Sequence, residues 1–263
     1  MHKLTLRRAM TMCLGIAVAG MPLLAMAESA EGPEPEAPPR MRRIGIGVGV
    51  VVNQSPYERG GSRVVAIPAL TYVGKRVSLL GTSAQLRLGS LGPAQMRAQV
   101  RYSFERFDTD SDELAGLERR RDTVMGGAGM RVALPAGLAL DLLGETDLLD
   151  RHGGQRATAG LARSWRLAGI DLTPVAGVEW LGSATAAHRY GVSEGEARDD
   201  RPAYEPGSTL SGILGLGAQY TIGTATTLMA RGSLTLLDTA IQDSPIVVRD
   251  TLFSVFLALS YSL

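Results

Sequence analysis

The chain has 263 residues, 45% hydrophobic and 20% charged, with 27 basic and 26 acidic side chains and a single cysteine. This near-neutral balance leaves no basic surplus to neutralise phosphates, which argues against a general nucleic-acid binder. The cysteine, Cys13, falls in an N-terminal leader, so the remaining chain has no disulfide, thiol chemistry or cysteine-based metal site.

Residues 1–27 have the three parts of a secretory signal peptide. Lys3, Arg7 and Arg8 form a basic start, and an apolar run from Ala9 to Leu24 follows, interrupted by Gly20 and Pro22. Ala25, Met26 and Ala27 then supply a small-residue cleavage site. Cys13 lies inside the apolar run without the small-residue box of a lipoprotein. The leader holds three basic and no acidic residues, so its removal leaves 24 basic against 26 acidic, a net charge of −2. Residues 28–43 are rich in Pro and Glu and too poor in apolar surface to fold, and they read as a disordered periplasmic lead-in with a basic end.

From residue 44 onward the pattern changes. No stretch of 18 uninterrupted apolar residues exists, so no helical span is expected. Period-two alternation recurs instead. Over 95–107, Met96, Ala98, Val100, Tyr102 and Phe104 share one face, and Arg97, Gln99, Arg101, Ser103 and Glu105 share the other. Facing two arginines and a glutamate to lipid would cost several kcal/mol, so that face must line a polar lumen. Residues 170–180 and 210–222 alternate in the same way. So does the C-terminal stretch, with Phe253, Val255, Leu257, Leu259, Tyr261 and Leu263 on one face and small or polar residues, with Phe256, on the other. The expected fold is therefore all-β, a transmembrane antiparallel β-barrel over 44–263.

Strands are expected near 44–52, 62–73, 76–80, 83–90, 94–107, 123–134, 137–147, 155–166, 170–182, 209–222, 226–237 and 251–263, twelve in all. Tight turns near 74–75, 91–93, 135–136, 167–169 and 223–225 alternate with connections at 53–61, 81–82, 108–122, 148–154, 183–208 and 238–250. That alternation is the one expected of short periplasmic turns and longer external loops. Fusing 76–90 into one strand would put the 108–122 loop on the wrong side. The lumen candidates by parity are Arg97, Arg101, Arg131, Asp141, Glu145, Asp171 and Glu179. Aromatic residues, at 5%, are sparse for the two interfacial girdles of such a barrel.

The 183–208 connection reads as an exposed polar loop. Ser193 and Glu196 have capping-box spacing, so a short helical turn is expected over the barrel mouth. Tyr204 to Gly207 reads as a turn back into the next strand, and Asp243-Ser244-Pro245 as a cap for the 238–250 loop. His188, Ser193, Glu194 and Glu196 have the residue types of a hydrolytic set, but one loop holds such geometry poorly. His152 and His188, the only histidines after the leader, are too few for a histidine metal cluster. No cofactor is expected.

Tyr190, Gly191, Val192, Ser193, Glu196 and Ala197, followed by Tyr204, Pro206 and Gly207 and later by Asp243, Ser244 and Pro245, resemble the signature segments of the MipA/OmpV family of outer-membrane proteins. The resemblance spans about 44–263. Leu263 departs from it, because such barrels usually end in an aromatic residue. The resemblance implies an outer-membrane barrel that contacts lipid and is not an enzyme. It further implies a scaffold whose partners are a lytic transglycosylase and a murein synthase. A narrow porin-like channel and an adhesin are the alternatives, with an outer-membrane lipid hydrolase behind them.

If the leader is cleaved where its small residues stand, N-terminal sequencing of the protein from the membrane fraction should begin at Glu28. An intact Met1 would remove the signal peptide.

Overall fold

A computed structural model describes residues 43–57, 62–105 and 114–263. The leader and all of the lead-in except Arg43 lie outside the described residues. The strands are β1 (Arg43–Gln54), β2 (Ser62–Val73), β3 (Val77–Leu80), β4 (Ser83–Leu91), β5 (Ala94–Ser103), β6 (Thr123–Ala133) and β7 (Leu138–Asp147). They continue as β8 (Gln155–Arg163), β9 (Trp165–Leu167), β10 (Ile170–Leu181), β11 (Thr209–Ile222), β12 (Thr226–Leu236) and β13 (Thr251–Ser262). Each pairs antiparallel with its neighbours, and β13 returns to pair with β1, so the sheet closes. The segment expected at 155–166 is broken at Ser164 into β8 and β9. Both lie against β10 and form one wall strand, so the barrel has the twelve strands expected.

Closure follows from the solvent. In hydrocarbon an unpaired N–H or C=O has no water to turn to, so only a sheet without edges spans the bilayer. The last residue contributes to this seam although it is not aromatic: the Leu263 N–H donates to the Ile44 carbonyl at 2.8 Å. No helix among the described residues is long and apolar enough to cross a membrane.

Side-chain parity matches the alternation in the sequence. Ile44, Ile46 and Val48 on β1, Met96, Val100 and Tyr102 on β5, Leu210, Leu214 and Leu216 on β11, and Phe253, Leu257, Leu259 and Tyr261 on β13 are all exposed. Their opposite-face neighbours, including Arg97, Gln99, Ser103, Thr173, Glu179 and Ser211, are buried. An apolar surface wrapping the whole barrel suits lipid and not water. The turns on one end are short: Ala168 and Gly169, both at positive φ, join β9 to β10 as a two-residue hairpin whose twist matches its strands. Glycines let strands approach inside the ring; a Cβ on Gly127 would overlap the Gly144 carbonyl.

One hairpin is stunted. β3 and β4 join through Gly81 and Thr82, so β3 pairs with only three residues of β2, Thr71 to Val73. The β3–β4 hairpin itself has four pairs, and every other seam of the wall is longer still. The break at 81–82 is therefore real, and it makes the shortest external connection of the barrel.

The facing of β5 gives a direct check. Val100→Arg would place a charge on the lipid side at a cost of roughly 2–4 kcal/mol near the midplane. Arg101→Ala removes one ligand of Glu145 but leaves Arg156 on the same carboxylate. Heat-modifiable gel mobility should show far less folded barrel for V100R than for R101A, and the reverse order would invert the assigned faces.

Candidate functional site

The lumen-facing charges meet in a belt across β5, β7, β8 and β10. Arg101 Nε donates to Glu145 Oε1 at 2.8 Å, and Arg156 NH1 donates to Glu145 Oε2 at 2.7 Å. The Nε of Arg156 bonds in turn to Glu179. Gln99 and Gln85 extend the belt toward β4. Below it, Arg97 grips Asp141 with both terminal nitrogens, at 2.9 and 2.6 Å. Arg131 stands opposite Asp141 in the β6–β7 register. Five of the seven lumen candidates, Arg97, Arg101, Asp141, Glu145 and Glu179, thus join in two ion-paired groups. Asp171 does not: it is chelated by Arg166 at 2.7 and 2.8 Å at the exposed turn end of β10. Arg156, which completes the belt, was missed, although the buried parity of Arg156 and Thr158 was open to the same alternation argument.

Above the belt the external connections fold into a cap. The loop expected to be exposed begins with helix α1 (Ser183–Tyr190), which the sequence reading did not anticipate, and goes on through a 3-10 turn at Glu194–Glu196. A second short helix, α2 (Thr239–Gln242), lies in the connection from β12 to β13. Tyr57, Leu114, Leu117, Leu181, Ala186, Tyr190, Val192, Leu237, Ile241 and Ile246 form one buried apolar cluster. Four separate connections therefore share a core, and the segment is packed, with exposure confined to short stretches such as 197–200.

The signature residues hold this cap together. Glu196 accepts from the Ser193 N–H and hydroxyl, the Glu118 N–H and Arg120. Arg120 also donates to the Gly191 carbonyl. Val192 and Tyr204 exchange two backbone hydrogen bonds, and the Tyr204 hydroxyl donates to the Ala240 carbonyl at 2.7 Å. Ser244 Oγ donates to the Tyr190 carbonyl, tying the late signature to the early one. Pro206 is fully buried, Ala197 and Gly207 are exposed, and Pro245 is half-buried. Asp243 does not cap its loop as expected. It ends α2, and the N-terminal capping falls to Asp238, which accepts from Ala240 N–H at 2.8 Å and Leu210 N–H at 2.7 Å. The reason is position, because only Asp238 precedes the free N–H groups of that turn.

Between cap and belt lies a second charged cluster. Arg189 NH2 donates to Glu105 Oε1 at 2.9 Å. The Nε2 atoms of His152 and His188 each stand 3.3 Å from Glu105 Oε2, and the two imidazoles stack with centroids 4.7 Å apart. Burial would raise the Glu105 carboxyl, but Arg189 and His152 hold it well below the usual carboxylate range. Burial pushes His188 down to about 4, despite the pull of Glu105. Burial likewise pushes the Tyr190 phenol up to about 12. The hydrolytic set does not assemble, since the Ser193 hydroxyl donates to Glu196 while the His188 imidazole stands against Glu105 and His152.

The model of the MltA-interacting protein MipA family matches residues 46–263. The chain belongs to this family. The putative outer membrane protein YiaT of Escherichia coli K12 is 26% identical over 94% of this chain and 96% of its own length. The MltA-interacting protein of the same organism is 27% identical over 78% of this chain and 83% of its own. OmpV of Vibrio cholerae is 29% identical over 54% and 55%. An outer-membrane channel of Pseudomonas putida F1 is similar in structure at a TM-score of 0.46 and 14% identity, covering 89% of this chain and 99% of that one. Membership and barrel together place the chain in the outer membrane.

The depressed pKa of His188 sets a pH dependence for the cap. An unfolded cap takes up this proton near pH 6.5, whereas the folded cap refuses it until about pH 4. The His188 contribution is thus complete above 6.5 and is lost as pH falls from there toward 4. External protease should cut the cap faster at pH 5 than at pH 7.5, and His188→Gln should flatten that difference. Equal cutting of the native protein at both pH values would contradict it.

Proposed function

We propose that this MipA-family barrel is a non-catalytic scaffold, closed at its outer mouth and offering its periplasmic end to murein enzymes. The observation that carries the reading is the use made of the signature residues. Tyr190, Val192, Ser193, Glu196, Tyr204 and Ser244 are engaged in holding a rigid cap, so they present neither a wide mouth nor a reactive group. Beneath the cap the lumen charges neutralise one another in place, unlike a charged ring open to water. The name of the MltA-interacting relative supports the partner class, a lytic transglycosylase, with a murein synthase as the second enzyme that the family resemblance implies. Outer-membrane lipid is the surrounding partner.

Capture with the folded barrel should retain a purified lytic transglycosylase at a defined stoichiometry, and planar bilayers should show no stepwise conductance of porin size. Steady ohmic steps without enzyme capture would replace the scaffold with the channel alternative.

A further inference from the structure

Among the described residues, the stunted β3–β4 hairpin leaves the upper half of β2 without a neighbour on the side away from β1. Backbone parity identifies the open side. The Leu70 carbonyl accepts from Gly81 N–H at the hairpin tip, at 3.0 Å, so Leu70 and the residues two, four and six before it direct their backbone groups toward that side. These are Pro68, Ala66 and Val64. Among the described residues, none of them has a backbone partner on that side. Beyond the hairpin tip, β5 is paired with β4 as far as Tyr102, whose N–H donates to the Thr82 carbonyl and whose ring meets Phe104 edge-on at 4.7 Å.

The gap lies at membrane level. Pro68 stands opposite Val48 and Ala66 opposite Val50, and both valines belong to the exposed apolar band of β1. An open sheet edge is not tolerated against hydrocarbon unless something satisfies its polar groups. A partner strand is a poor candidate, because Pro68 offers no N–H in the middle of the edge and so breaks the ladder that an added strand would need. The side chains along the β2 edge are apolar, Val64, Ala66, Pro68 and Leu70, and beyond the hairpin tip stand Phe104 and Tyr102, whose hydroxyl donates to Asp122. What fits is a molecule with oxygen acceptors for the Val64 and Ala66 N–H groups and an alkyl chain for the apolar rims.

We propose that this notch between β2 and β5 is a binding site for a membrane amphiphile. Its acceptor head sits against the free edge of β2, and its chain lies over the β3–β4 tip. The site stands apart from the scaffold reading, because it faces the lipid and uses none of the cap signature.

The probe is 11-(dansylamino)undecanoic acid, titrated into the folded barrel in nanodiscs. The native chain should give saturable fluorescence enhancement. Lengthening the hairpin by four residues on each side of Gly81-Thr82, together with Pro68→Val, should weaken binding at least tenfold, and a two-residue extension should weaken it less. Heat-modifiable mobility reports folding of each chain. Should neither extended chain fold, Ala66→Cys in the otherwise cysteine-free mature chain decides. Its reaction with a lipid-soluble maleimide should slow when undecanoic acid is saturating. Absence of saturable binding, equal binding by native and lengthened chains, or unchanged labelling of Ala66→Cys would overturn the proposal. A disulfide-linked A66C dimer would overturn it too, by giving the edge to a second copy.

Discussion

The backbone of this protein has to be satisfied without water, and that requirement governs everything else in the fold. A strand inside a bilayer can spend its N–H and C=O groups only on another strand, so a sheet that enters the membrane must meet itself. β13 therefore returns to β1, and the final residue donates its N–H to the Ile44 carbonyl. Closure splits every strand into a lipid face and a lumen face. The alternation along β5, with Val100 outward and Arg101 inward, follows from that division.

Closure also creates the electrostatic problem that the belt resolves. Arginine and glutamate placed inward at bilayer depth are partly shielded from water and need partners. Here the partners come from four strands: Arg101 on β5, Glu145 on β7, Arg156 on β8 and Glu179 on β10. Each carboxylate and guanidinium therefore reports on the register of several seams at once. A slip of one residue in any of these seams would turn one of the charges toward lipid.

The cap obeys a different rule, because it lies beyond the hydrocarbon and folds as a small soluble core. Its apolar cluster draws residues from four connections, and its hydrogen bonds run from side chains to carbonyls that no strand can satisfy. Glu105, two residues beyond the upper end of β5, joins the two regions, since it binds Arg189 of the cap and faces both histidines. Through this carboxylate a change of charge in the cap would be felt by the strand that also supplies Arg101 to the belt.

The barrel, its strand count and its two faces were legible in the sequence because each rests on a local period of two and on turn residues close by. The stunted hairpin was legible too, as the two-residue break at 81–82. Local pattern also indicated which charges face inward, and it fell short on what they meet. Arg97 finds Asp141 across 44 residues of chain, and His188 finds Glu105 and not the nearby Ser193. The helix at Ser183–Tyr190 was hidden for a related reason, since its short polar sequence is stabilised by contacts with other loops and little by its own propensity. The sequence by itself determined that this chain must close a barrel in a membrane, because facing and pairing are short-range demands. Only the tertiary structure decided the cap, the belt partners and the notch, because barrel shear and loop packing set which distant residues come to the same height.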